Sequence, residues 1–236
     1  MNEVFQKLER IKIAELHFNG FSLEISNTLL CVWISCLILI LLGFFASKNL
    51  QTKPNKIQVV VEMLVVFVLN MCKDNIGQKH YSKYVPYLGS LFLFICVANL
   101  LAVFNFIPGI SLYPPTKDIN TTIPLAVLTI LIVLFSSIRF KGFKGTAKDL
   151  AKPMAIMIPF KIMEYATKPL SLCLRLFGNV VAAFLIMELV FMYLAPIAAP
   201  FSAYFDFFDG ILQAYVFVFL TCLYIGEAVE MEGEVS

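Results

Sequence analysis

Residues Lys168–Asn179 read KPLSLCLRLFGN, and between Pro169 and Met187 the only charged residue is Arg175. A guanidinium stays protonated at any physiological pH. Holding one near the middle of a membrane helix costs at least ~2.5 kcal/mol when it has no partner. Apolar residues extend more than a turn on both sides, so an arginine snorkelling from a helix end fits poorly. On a helix, Ser171, Arg175, Gly178, Asn179 and Ala182 fall on one face, and all but the arginine are small or short. In a membrane, small residues let a neighbouring helix approach closely. The pattern describes a shallow groove for a partner helix that carries an anion. An ordinary small-residue packing seam would leave the arginine uncompensated.

The surroundings of this stretch set the architecture. The run from Pro153 to about Leu194 would rise over ~60 Å as one helix, twice the hydrocarbon thickness. Two spans would need a turn, yet no polar loop is available around Arg175, where the only breakers are Pro169 and Gly178. A long, tilted helix, kinked at Pro169, is expected. Pro196 and Pro200 mark a turn, and Phe205–Gly226 forms a last helix running back, so that about 153–226 makes a hairpin.

The whole chain of 236 residues is 60% hydrophobic and only 14% charged, far more apolar than a soluble domain. The sequence therefore predicts an all-α polytopic membrane protein, its membrane domain spanning 28–226. Five membrane helices are expected: Thr28–Ser47, Tyr84–Phe106, Thr122–Ile138 and the two of the hairpin. The first apolar run lacks a small-residue cleavage site and is expected to stay as a span. Ile57–Met71 is short for a span and carries Gln58, Glu62, Asn70 and Lys73 roughly on one face, so it reads as an interfacial helix. Residues 1–27 mix charges with spaced apolar residues and read as a short interfacial helix or arm. The tail 227–236 holds four glutamates and is expected to be solvated. His17 and His80 read as surface residues, Tyr84 and Tyr87 as interfacial anchors, and Asn99 as a helix–helix hydrogen-bonding residue.

Basic segments after the first and third spans (Lys48–Lys56, Arg139–Lys152) place those loops in the cytoplasm, and the sparsely charged loop 107–121 outside. The N-terminus is then outside and the C-terminus cytoplasmic. A net charge of +2 without a basic stripe argues against nucleic acid. Six scattered cysteines without a CxxC pair read as small buried hydrophobes. No Ser/His/Asp set, phosphate-binding glycine loop or metal-ligand spacing suggests catalysis, a cofactor or a metal. Ionisable residues do flank the arginine: Glu188 and Asp206 on the outer side, Glu164 toward the cytoplasm. Such groups suggest two water-accessible half-paths that stop at Arg175. Asp209 reads equally well as an ordinary interfacial charge.

RLFGN at Arg175–Asn179, preceded by KPLSL, resembles the signature of the a subunit of F-type ATP synthases. PYLGSLFLF at Pro86–Phe94, NLL at Asn99–Leu101, IPG at Ile107–Gly109, PPTKDINTT at Pro114–Thr122 and FDFFDGILQAYVFVFLT at Phe205–Thr221 are similar in the same order. The resemblance covers all but the first ~27 residues and the tail. It implies a stator subunit, without nucleotide chemistry of its own, in the cell membrane of a bacterium. Its partners would be a ring of c subunits, the b-subunit peripheral stalk and the remaining synthase subunits. Arg175 would face a c-subunit carboxylate and separate two ion half-channels, with Asn179 and Gln213 near it and Asp206 in the outer path. Three departures stand out, one of them Asp209, an extra acid near the outer path. The family commonly has an acid or histidine nine residues after the arginine, where this chain has Phe184, and Glu188 one turn on is the expected substitute. The glutamate usual fourteen residues before it is replaced by Lys161, and Glu164 is expected to serve. A secondary transporter binding an anionic substrate at Arg175 is the alternative, although no internal repeat supports it.

Overall fold

The computed structural model describes residues 12–18, 21–48, 56–101, 114–150 and 158–229. For some helical residues, Glu188 and Asp206 among them, only the backbone is described. The first eleven residues, the basic residues Lys53 and Lys152, Asn105, the IPG stretch and most of the acidic tail lie outside the described residues.

The chain enters through a β-hairpin rather than the expected helix or arm. Strand β1 (Lys12–Phe18) pairs antiparallel with β2 (Phe21–Ser26), with Phe18 opposite Phe21 and a register shift near Lys12. The sequence reason is local. Asn19-Gly20 is a strong two-residue hairpin signal, and apolar and polar residues alternate in β2 with period two.

Among the described residues, every element after the hairpin is helical. Helix α1 (Asn27–Lys48) is followed by α2 (Lys56–Ile76), a 3-10 turn at Tyr81–Lys83 and α3 (Val85–Leu100). A second 3-10 turn at Pro115–Lys117 leads into α4 (Ile119–Leu150) and α5 (Ile158–Val229). Four described stretches are long and apolar enough to cross a bilayer: Asn27–Ala46, Ile119–Gly142, Ile158–Met187 and Phe207–Val229. Val85–Leu100 is a shorter apolar helix. The protein is thus an all-α polytopic membrane protein carrying one small hairpin ahead of its first span. Pro124, expected in a first turn, lies further into α4 because that helix starts at Ile119.

Two glycines punctuate the helices. Gly77 follows the last residue of α2 with φ +88°, and its carbonyl accepts from the backbone N–H of His80 and Tyr81. Gly142 breaks the helical dihedrals of α4 at φ +73°, where its apolar run gives way to basic residues. Residues with side chains would be strained at both. Within the helices, hydroxyls bond back one turn: Ser35 to Cys31, Thr129 to Leu125, Ser136 to Ile132 and Thr221 to Phe217. That local pairing satisfies polar groups where lipid offers none.

Helix α5 cannot be straight. Asn179 hydrogen-bonds Gln213, 34 residues on, at 2.8 Å, where a straight helix would separate them by about 51 Å. Lys168 likewise meets Glu227 across 59 residues. The halfway residues of the two pairs, 196 and 197–198, coincide with the Pro196–Pro200 segment expected to turn. Helix α5 is therefore a helical hairpin with its tip near Pro196, a first arm through Arg175 and a second through Gln213.

The chain forms two compact units. One comprises Met1–Asn49, Leu93–Thr121 and Leu176–Ala214. In it Thr28 donates to Asp118 (3.3 Å) and Thr116 donates to Asn99 (2.6 Å). Asn99 in turn donates to the Gly210 carbonyl of the second arm (3.4 Å), the helix–helix role expected of it. The other unit comprises Leu50–Phe92, Thr122–Arg175 and Tyr215–Ser236. Here Tyr84 and Tyr87 bond the α4 hydroxyls of Ser136 (2.7 Å) and Thr129 (3.4 Å), so these tyrosines tie two helices together. His80 is half-buried against the ring of Phe140 instead of lying free on the surface. The Cys72 and Cys222 sulfurs lie 3.9 Å apart, linking α2 to the second arm. Of the six cysteines, Cys31, Cys72, Cys173 and Cys222 are buried as expected, while Cys36 faces outward and Cys96 is half-buried.

Candidate functional site

Arg175 sits in the first arm of α5, half-buried, and pairs with no carboxylate among the described residues. Its helical face is open. Ser171, Asn179 and Ala182 are exposed, and Leu170 and Leu174 border them at 56% and 54% exposure. A Cβ built on Gly178 would meet nothing within 4 Å. Packing among the described residues therefore does not require the small residue at 178. One flank of the same arm is closed: Leu172 and Leu176 are buried.

Asn179 follows Arg175 by one helical turn. Its Nδ2 donates to Oε1 of Gln213 on the second arm. Gln213 is 2% exposed, and its own Nε2 has no hydrogen-bond partner among the described residues. Leaving one such donor unmade costs about 1–3 kcal/mol, a penalty retained at a position with a polar task or an uncounted water. The second arm is held just before Gln213 by the Asn99–Gly210 contact. There a Cβ on residue 210 would come within 3.1 Å of the Asn99 Cβ.

The expected acids are placed differently from one another. Glu164 lies on the first arm between two lysines, 3.4 Å from Lys161 and 2.9 Å from Lys168. Lys168 also binds Glu227 of the second arm. Asp209 is half-buried beside Gly210. Glu188 and Asp206 have helical backbone, and their side chains lie outside those described. At Phe184, where the family commonly has an acid or histidine, the ring carries the Lys117 ammonium 3.5 Å from its centroid, a cation–π contact. Of the six candidate residues the structure brings Asn179 and Gln213 into direct contact.

Two contacts escaped the sequence reading. Lys117 lies in the sparsely charged loop 107–121, and nothing in its spacing points to Phe184. Glu227 was grouped with the solvated tail, but it belongs to the end of α5 and joins Lys168 there. The lysine that opens KPLSL, with an acid closing the last helix, was the available signal.

These features define a polytopic α-helical membrane subunit with an arginine set in the open, small-residue face of a helical hairpin. Residues 29–226 match the family described as ATP synthase A chain. The chain is also similar to ATP synthase subunit a, sodium ion specific, of Propionigenium modestum. The two are 35% identical over 224 residues, covering 89% of this chain and 76% of that protein. The chain belongs to the ATP synthase A chain family, and its role is that of an a subunit of the synthase membrane sector. Assembly with other synthase subunits follows from that membership. A secondary transporter is not the reading such a match supports.

Proposed function

We propose that the chain is the ion-translocating stator subunit. It provides two half-channels to and from a ring of c subunits, with Arg175 separating them. The observation that carries the reading is the arginine itself: a permanent charge on an open small-residue face, beside a Gly178 whose small size serves no contact among the described residues. An ion-loaded carboxylate arriving on the ring meets a fixed guanidinium. Opposite charges at ~4 Å attract by ~4 kcal/mol at an effective dielectric of 20, and ~1.4 kcal/mol shifts an ionisation equilibrium tenfold. That is ample to favour the ionised carboxylate and release its ion. The same positive charge repels a cation attempting to pass directly from one half-path to the other.

Asn179 and Gln213 tie the two arms one turn from the arginine without adding charge. Glu188 and Asp206 supply the outer half-path and Glu164 the cytoplasmic one. The N-terminus lies outside and the C-terminus in the cytoplasm of a bacterial cell, and the b-subunit stalk completes the stator. The relative from Propionigenium modestum is named as sodium ion specific. The coupling ion of this complex is read by running the vesicle assay with and without Na⁺.

The central test is Arg175→Ala in the intact complex reconstituted into vesicles. ATP-driven ion pumping is lost while the c ring still co-purifies. Normal coupled pumping in that variant overturns the reading.

A further inference from the structure

The end of the hairpin away from its tip carries a charge cluster that the arginine does not explain. Lys168 lies seven residues before Arg175, which is two turns, or ~10.5 Å along the axis, and nearly the same face. Its side chain is only 14% exposed, whereas Glu164 and Glu227 around it are 42% and 59% exposed. The ammonium is shared by the two carboxylates, one from each arm, and lies near the rings of Tyr165 and Tyr224 (5.8 and 5.1 Å). Lys161 pairs with Glu164 from the same arm, and Lys141 of α4 donates to the Glu227 backbone carbonyl (3.3 Å). A clasp serving only to close the hairpin needs one acid and one base. Here a mostly buried cation faces two carboxylates that both remain open to solvent.

We propose that Lys168 is a positioning residue of the cytoplasmic half-path. It bridges Glu164 to Glu227 so that the two carboxylates form the mouth of the path without retaining the transported cation. This rests on the half-channel reading above. With the ammonium in place, the carboxylates are compensated, and a cation leaving the ring passes them bound weakly. With the ammonium removed, two uncompensated carboxylates face the same opening, and a cation binds there more tightly and leaves more slowly.

The test uses the whole complex in inverted vesicles, where ATP hydrolysis draws cations from the cytoplasmic face. Initial pumping rates are measured against external Na⁺ at fixed pH and, without Na⁺, against pH. Lys168→Gln lowers the half-saturating cation concentration about fivefold, the size expected for one unit charge a few ångströms away near water. It also lowers the maximal rate. Lys168→Arg, which keeps the charge, restores both values to within about twofold of wild type. Glu227→Gln moves the half-saturating concentration upward instead, and it carries the test if Lys168→Gln does not assemble. The half-saturating concentration on the opposite face, measured during ATP synthesis, stays fixed in these variants. An unchanged cytoplasmic value in Lys168→Gln, or an equal shift on both faces, overturns the proposal. If Arg175→Ala is inactive while Lys168→Gln shows no shift, only the role of Lys168 falls. If Arg175→Ala pumps normally, the half-channel reading falls with it.

Discussion

Substituting Asn179 by leucine should cost more stability than substituting Gln213, although the two residues share one hydrogen bond. The asymmetry comes from burial. Gln213 is 2% exposed, and its Nε2 already lacks a partner among the described residues, so Asn179 supplies the one bond its carboxamide makes there. Asn179→Leu orphans the rest of that carboxamide, a penalty of about 1–3 kcal/mol. Interhelical hydrogen bonds within membranes run lower, averaging ~0.6 and reaching ~1.7 kcal/mol, so about 1–1.5 kcal/mol is expected. Gln213→Leu removes the buried polar group altogether and leaves Asn179, which is exposed. Its cost should be near zero, or even a small gain. The double variant should resemble Gln213→Leu alone, giving a coupling of about 1 kcal/mol in the cycle. Retention of the subunit in the purified complex against increasing sodium dodecyl sulfate measures all four corners. Equal costs for the two single variants, or simple additivity, would refute the argument that Gln213 is held polar by Asn179.

Two further outcomes follow from the geometry and the proposed paths. A Cβ on Gly226 would land on the backbone carbonyl oxygen of Asn75, 3.2 Å from its carbon. Since a backbone group cannot swing aside, Gly226→Ala should cost about 1–3 kcal/mol, read as earlier release of the subunit in the same detergent titration; wild-type retention would contradict the close approach. Glu188→Gln and Asp206→Asn should each slow ATP-driven transport while c-ring co-purification persists. If both conduct at the wild-type rate, the outer path runs elsewhere.

What the sequence reveals of this fold follows from what lipid demands. A bilayer-crossing helix must be predominantly apolar over about 20 residues, so the spans stand out. The prolines at 196 and 200 mark the fold-back that the Asn179–Gln213 and Lys168–Glu227 pairs require. Asn99 is legible for the same reason, because a polar amide inside an apolar run must find a bond, and it finds the Gly210 carbonyl. The N-terminal hairpin was equally available in Asn19-Gly20 and the alternation around it.

Rotation of the spans about their own axes is where the sequence falls silent. In water, the period of apolar residues tells which face turns inward; in lipid both faces are apolar, and that information vanishes. Leu170, Leu172, Leu174 and Leu176 are the same residue type at regular spacing. Yet Leu172 and Leu176 are buried at 1% and 0%, while Leu170 and Leu174 are exposed at 56% and 54%. Only residues that are small, polar or charged break the degeneracy, and these are the ones that form the seam of Ser171, Arg175, Gly178, Asn179 and Ala182. Contacts such as Lys117 over Phe184, or Lys168 with Glu227, depend on rotation and fold-back together. A reader of the chain can therefore find Arg175 without finding what stands beside it. The arginine is conspicuous because of its charge, whereas its neighbours are fixed by which side of each helix the small residues leave free.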